Sequence, residues 1–153
     1  MASRDSASTV IAAPPERVYG LLADVTNMGR WSPETYKCQW LDGATEAKPG
    51  VRFKGWNKDA LGPMPVRWST VCTVTAAEPG QELSFTVRQS GATWTYRFQP
   101  DDQGGTILTE TRTDGDKPLV AKIFNKVVPN RDAKLVDGMK QTLQRVKNAA
   151  ESR

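Results

Sequence analysis

The sequence contains no histidine, which narrows the chemistry that the protein can perform. Histidine is the commonest general base, the usual partner of serine and cysteine nucleophiles, and the commonest metal ligand. The chain has only two cysteines, Cys38 and Cys72, and each lies within an alternating strand pattern. Two cysteines on separate strands, without histidine, argue against a zinc site. We therefore expect no metal and no cofactor, and we expect both cysteines to be free core thiols.

Long apolar runs and helix-opening phosphate loops are also missing. No run approaches the roughly 20 apolar residues that a membrane-spanning helix needs, and Met1–Ser8 is too polar for a signal peptide. Gly104 and Gly105 fall in a predicted hairpin and Gly50 precedes a strand, so none of them opens a helix as a phosphate loop does. These absences argue against redox and phosphoryl-transfer enzymes. We expect a cytoplasmic protein without integral membrane association.

The net charge of +4 is unevenly distributed along the chain. From Lys117 onward there are nine basic and three acidic residues, a bias that could indicate nucleic acid or acidic lipid as a partner. The basic residues are spaced rather than clustered, and no aromatic residues interleave with them. We interpret them as a solvated helix face and predict no nucleic-acid binding. An interaction module that binds a partner through this basic helix stays an alternative.

One amphipathic helix is predicted from Arg131 to about Ala150. Its apolar residues recur at spacings of four, four, three and four, which places them on one stripe; they are Leu135, Met139, Leu143, Val146 and Ala150. A chain of 153 residues can bury one core, so we expect a single domain over residues 1–153.

Most of the chain before that helix reads as extended segments separated by turn sequences. The predicted strands are Ser8–Ala13, Thr35–Leu41, Val51–Lys58, Val66–Glu78, Gln81–Gln89, Ala92–Gln99 and Thr106–Thr113. The prolines fall outside all predicted strand interiors, where a missing N–H would cost a ladder bond. Two short helical segments follow the first strand: one begins at Pro14–Pro15, and the second runs from Asp24 or Thr26 to Trp31.

Alternation along the strands predicts which side chains share a face. The apolar-biased sets are Tyr36, Cys38 and Trp40; Phe53, Gly55 and Asn57; Trp68, Thr70, Cys72 and Val74; Leu83, Phe85 and Val87; and Trp94, Tyr96 and Phe98. The last strand differs, because Glu110 and Arg112 share a face with Leu108. An antiparallel sheet whose only long apolar cover is one helix suggests a sheet that grips the helix around a cavity.

Several stretches resemble a known family: Ala13–Tyr19, Asn27–Pro33, Gly50–Asn57, Gly104–Thr109 and Gly138–Lys147. They are similar to the START-like helix-grip (SRPBCC) superfamily, and within it to the polyketide cyclase/dehydrase and lipid-transfer group common in actinobacteria. The resemblance covers nearly the whole chain. It implies an α+β helix-grip fold, in which a seven-stranded antiparallel sheet curls around the long C-terminal helix and two short helices follow the first strand.

The resemblance also implies an elongated apolar cavity, with Leu108, Glu110 and Arg112 on the cavity side. It places the loop Asp59–Pro65 at the cavity mouth, where it would act as a lid or be an ordinary surface turn. This scaffold hosts carriers, receptors and aromatase/cyclases, so the fold alone does not decide the function.

We predict that the protein binds a hydrophobic small molecule, such as a lipid, acyl or polyketide-like compound, as a monomer or weak homodimer. The candidate ligand-binding residues are Tyr36, Trp40, Phe53, Asn57, Trp68, Thr70, Phe85, Trp94, Tyr96, Glu110, Arg112, Met139 and Leu143. The alternative is a polyketide aromatase/cyclase or dehydratase, in which Glu110 acts as acid or base and Arg112 anchors a carboxylate or enolate. It is equally open that Glu110 and Arg112 pair with each other, or face solvent.

Overall fold

The computed structural model describes residues 4–115 and 131–152. Its elements are β1 (Arg4–Ile11), α1 (Pro15–Ala23), α2 (Met28–Trp31), β2 (Thr35–Trp40), β3 (Arg52–Leu61), β4 (Met64–Glu78), β5 (Glu82–Val87), β6 (Thr93–Pro100), β7 (Thr106–Thr113) and α3 (Arg131–Glu151). The strands form one antiparallel sheet of seven in the order β1-β7-β6-β5-β4-β3-β2. The predicted α+β helix-grip fold is confirmed.

The two short helices form where the sequence predicts them. Helix α1 begins with Pro15, whose fixed φ suits a first helical position. It ends at Asp24, whose Oδ1 accepts a hydrogen bond of 3.1 Å from the backbone N–H of Thr26 and starts a short 3-10 turn. Helix α2 follows directly, and together the two helices bury Leu22 and Trp31 against the sheet.

Helix α3 buries the apolar stripe that the sequence predicts, since Leu135, Met139, Leu143, Val146 and Ala150 are all buried. The stripe divides into two parts. Leu143, Val146 and Ala150 belong to the packed core that also contains α1, whereas Leu135 and Met139 border an open cavity. The fold therefore has a filled half and a hollow half along the same helix.

Strand β1 begins four residues earlier than predicted and ends at Ile11 rather than Ala13. It pairs with β7 along its whole length, from Arg4 opposite Thr113 to Ile11 opposite Thr106. Its first residues are small or polar and carry no strand pattern of their own, so the pairing with β7 defines them. This correction matters for the site, because it brings Asp5 into the sheet.

The predicted loop Asp59–Pro65 is a tight hairpin instead. Strands β3 and β4 continue to Leu61 and Met64, which leaves Gly62 and Pro63 as a two-residue turn with Gly62 at φ 60°. Pro65 therefore lies within a strand, contrary to the prediction. It is tolerated because β4 pairs with β5 only from Cys72 to Glu78, so no strand lies on that side of Pro65.

In the two stretches that the structure describes, no helix combines the length and the apolar character needed to cross a membrane.

Candidate ligand-binding cavity

A cavity of about 560 Å³ lies between the concave face of the sheet and the N-terminal half of α3. This volume lies within the usual range for small-molecule sites. Most of the predicted ligand-binding residues line it: Phe53, Asn57, Trp68, Thr70, Phe85, Trp94, Tyr96, Glu110, Arg112 and Met139. The structure thus brings these side chains to one place, and their contact with a ligand stays a prediction.

Tyr36 does not line the cavity, because a β-bulge turns it outward. Thr35 pairs with Asn57 and Lys37 pairs with Trp56, so Tyr36 is the extra residue in β2. Its side chain is 39% exposed, and the guanidinium of Arg67 lies 5.6 Å from its ring centre. The bulge moves Thr35 into the inward position that simple alternation assigned to Tyr36. The prediction for Tyr36 is therefore wrong.

Trp40 and Leu143 also lie away from the cavity surface. Trp40 packs edge-to-face on Phe53 at 5.9 Å between ring centres, and Phe53 packs in the same manner on Phe85 at 5.1 Å. Trp40 thus supports a wall residue from the side. Leu143 belongs to the packed core with Val146. Both residues were predicted as wall because they share a face with wall residues, but the closed half of the fold covers them.

Residues that the sequence analysis did not select complete the apolar wall. Cys38 and Cys72 are free and buried, as predicted, and both border the cavity. Burial raises the pKa of each thiol to about 12, so both stay uncharged and are poor nucleophiles. Gly55 lies between them in the sheet, and a Cβ there would come within 3.3 Å of Thr70 Oγ1. Alternation had placed all three on the inward face.

A row of hydrogen bonds across β2, β3 and β4 forms one polar region of the wall. Thr35 Oγ1 donates to Asn57 Oδ1 at 2.6 Å, and Asn57 Nδ2 donates to Thr70 Oγ1 at 3.2 Å. Because the two ends of the buried amide are each engaged by a neighbour, the row is uncharged and largely self-satisfied. Thr35 could not be found from the sequence, since only the bulge at Tyr36 brings it inward.

Glu110 forms the second polar region. The carboxyl lies on β7 beside Tyr96 on β6, and it is only 2% exposed. Tyr96 Oη donates a hydrogen bond of 2.7 Å to Glu110 Oε1, while the buried Oε2 has no hydrogen-bond partner within the described part of the chain. Burial raises the pKa of Glu110 to about 8, against the opposing influence of the Tyr96 hydrogen bond. The side chain is therefore mostly a neutral acid at pH 7.

Arg112 faces inward as predicted, but it pairs with other residues than expected. Its Nη1 lies 3.2 Å from Asp5 Oδ2, and its Nη2 lies 2.6 Å from Asp114 Oδ1. Asp5 stands directly opposite Arg112 in the β1–β7 ladder, which favours this cross-strand ion pair. The mutual Glu110–Arg112 pair is therefore wrong, and so is the solvent-facing alternative, since Arg112 is only 5% exposed.

Comparisons with solved structures agree with this architecture. A polyketide-cyclase-like protein from Corynebacterium glutamicum is 28% identical, with a TM-score of 0.61 over 99% of this chain and 93% of its own. A protein from Chromobacterium violaceum is 20% identical, with a TM-score of 0.69 over 99% of both chains. Ara h 8.0201 is 13% identical, with a TM-score of 0.68 over 100% of both. The last two likenesses concern the fold alone.

Sequence comparison places the chain more specifically. A search of curated proteins finds no match. The family model for polyketide cyclase/dehydrase and lipid transport proteins, by contrast, matches residues 4–151, which include every described strand and helix. The chain therefore belongs to the polyketide cyclase/dehydrase and lipid transport family.

Proposed function

We propose that the protein binds a hydrophobic small molecule in the cavity between the sheet and α3. The observation that carries this proposal is the cavity of about 560 Å³, in which aromatic and aliphatic side chains surround two small polar regions. A mostly apolar pocket with a few placed polar groups is the usual form of a small-molecule site. The family, whose members have a fold suited to hydrophobic ligands, supports the same assignment.

The packing around the cavity gives a physical reason for an occupant. Phe53, Phe85 and Trp94 present apolar surface to the cavity, although the other half of the same sheet is closely packed. Apolar atoms that face an unfilled space lose van der Waals contacts. A ligand that covers this surface stabilises the folded state, and its binding energy adds to that of folding.

Tryptophan fluorescence tests the proposal. Trp68 and Trp94 border the cavity, whereas Trp56 lies on the outer face beneath Lys37 and Lys54. We expect fatty alcohols or flat aromatic compounds to change the emission at micromolar concentration. Most of that change should be lost in a variant that combines Trp68→Phe with Trp94→Phe.

Trp56→Phe is the matched control and should keep the response. An unchanged emission across a broad apolar library at high micromolar concentration would contradict binding in this cavity. A response that survives the double variant and disappears with Trp56→Phe would place the ligand on the outer face instead.

Glu110 gives a specific reason to retain a second candidate function, that of a polyketide aromatase/cyclase or dehydratase. Its carboxyl lies in an apolar cavity, and burial raises its pKa to about 8. An acid with a pKa near neutrality can both give and take a proton at physiological pH, which aldol cyclisation and dehydration require. Tyr96, which donates to Oε1, would hold the carboxyl in position.

Under this second function, Glu110→Gln should lower turnover of a polyketide-type substrate by ~10²-fold or more. Binding of an unreactive analogue should stay nearly unchanged, because glutamine keeps the shape and a hydrogen-bond donor. Turnover is measured by the absorbance of the aromatic product, and binding by fluorescence titration in parallel. Full turnover in Glu110→Gln would remove Glu110 from the chemistry, and no turnover by the wild type would leave the binding function alone.

A further inference from the structure

We infer that the polar end of the ligand is a neutral hydrogen-bond acceptor, such as a ketone, that docks on Glu110, and that carboxylate ligands such as free fatty acids are disfavoured. This inference rests on the proposed binding function. It differs from the expectation from sequence, in which Arg112 anchored an acidic group.

The first step is the unpartnered oxygen of Glu110. Oε2 is buried in the wall of the cavity, and no described residue hydrogen bonds to it. A buried polar atom without a partner is unfavourable, so an occupant that supplies one is favoured. The structure thus marks one atom of the wall as the place for the polar end of a ligand.

The second step is the position of the proton. Burial and the neighbouring carboxyl raise the pKa of Tyr96 well above its usual value, so its phenol keeps its hydrogen and donates it to Glu110 Oε1. Oε1 is therefore an acceptor, and the proton of the neutral acid lies on Oε2. Oε2 then presents an O–H donor to the cavity, which matches a carbonyl oxygen.

The third step is the charge around this carboxyl. The titratable and charged groups near it are Tyr96 on β6, Cys38 on β2, Arg112 on β7, Asp5 on β1 and Asp114. The thiol and the phenol are neutral, and the guanidinium is already paired with two carboxylates. A ligand carboxylate at Glu110 would thus be buried close to acidic groups without a cation of its own, which is strongly unfavourable.

The rest of the described wall offers no charge in compensation. On the opposite strands, the Asn57 row is neutral and its amide is already engaged on both sides. At the rim, Lys134 Nζ is 3.3 Å from Asp59 Oδ1, so this ammonium group also has a carboxylate partner. The described wall therefore offers hydrogen bonds to a ligand rather than a buried positive charge.

A matched ligand series tests the inference. Compounds with one naphthalene skeleton that carries a methyl ketone, a primary alcohol, a carboxylate, an aminomethyl group or only hydrogen are titrated at pH 6.5 and followed by tryptophan fluorescence. We expect the ketone to bind ~10-fold more tightly than the hydrocarbon, the usual scale for one added hydrogen bond to a buried group. The carboxylate should bind more weakly than the hydrocarbon.

Two substitutions connect the preference to Glu110. Glu110→Leu should abolish the preference for the ketone over the hydrocarbon, while Glu110→Gln, which keeps a neutral donor, should retain it within ~3-fold. The wild-type affinity for the ketone should fall between pH 6.5 and pH 9.5 as Glu110 ionises, because the donor is lost. The affinity of Glu110→Gln should not change over that range.

The outcomes separate this inference from the proposed function. Equal binding of all compounds would overturn the inference and leave cavity binding intact. Tightest binding of the carboxylate would restore Arg112 as the anchor, and tightest binding of the amine, rising with pH, would make Glu110 an anionic partner; both overturn the inference. If no compound binds, the proposed function fails, and the inference fails with it. Circular dichroism checks that each variant is folded.

Discussion

Glu110→Gln should raise the free energy of unfolding at pH 9 by several kcal/mol and leave it almost unchanged at pH 4. Burial raises the pKa of Glu110 from 4.5 to about 8 in the folded state. Below pH 4.5 both states hold the proton, so the wild type keeps its full stability. Between pH 4.5 and 8 only the unfolded state ionises readily, and stability falls, by roughly 5 kcal/mol in all. Above pH 8 the loss is complete.

Urea denaturation followed by fluorescence at pH 4, 6 and 9 measures this difference. Glutamine cannot ionise, so the gap between the variant and the wild type should widen with pH and level off above pH 8. Glu78→Gln is the matched control, because Glu78 is an exposed residue of β4 and its replacement should give no such trend. A gap of the same size at pH 4 and pH 9 would mean that Glu110 is not buried in the folded protein.

Leu143→Asp should abolish cooperative folding. Leu143 is 2% exposed on the face of α3 that closes the packed core, so the aspartate would be a buried charge without a partner. That cost, with the lost apolar contacts, is several kcal/mol, comparable to the ~5–15 kcal/mol that stabilises a typical domain.

Thermal unfolding followed by circular dichroism measures the effect, and Gln144→Asp is the matched control. Gln144 is exposed on the same helix and hydrogen bonds only to Asn148 at 2.9 Å, so this substitution should cost ~1 kcal/mol or less. A normal melting curve for Leu143→Asp would show that the apolar stripe of α3 does not face the core.

The parts of the fold that the sequence predicts correctly are those in which a local pattern and its burial agree. The stripe from Leu135 to Ala150 has clear helical periodicity, and turn sequences separate the seven strands. The failures arise where pairing or packing overrides the local pattern. Arg4–Ala7 has no strand pattern but lies opposite β7, and Pro65 is accommodated at a position that no second strand covers.

The site shows the same limit. Alternation correctly placed Glu110 and Arg112 on the inward face, but it could not identify the partners of either side chain. Asp5 lies in a stretch that reads as a polar tail, and only the β1–β7 register brings it to Arg112. The bulge at Tyr36 depends on packing as well: α2 lies so close that Gly29 has no room for a side chain against the backbone of Tyr36.

The width of the cavity depends on a side chain that the chain does not have. Gly55 adopts no left-handed conformation, and a Cβ there would meet only side chains, with Thr70 Oγ1 at 3.3 Å and Cys38 Sγ at 3.6 Å. Backbone geometry therefore does not require glycine at this position; open space does. Ligand size can consequently diverge among relatives through one codon, without any change to the strands that hold the site. The helix-grip scaffold in this way separates what it accommodates from how it folds.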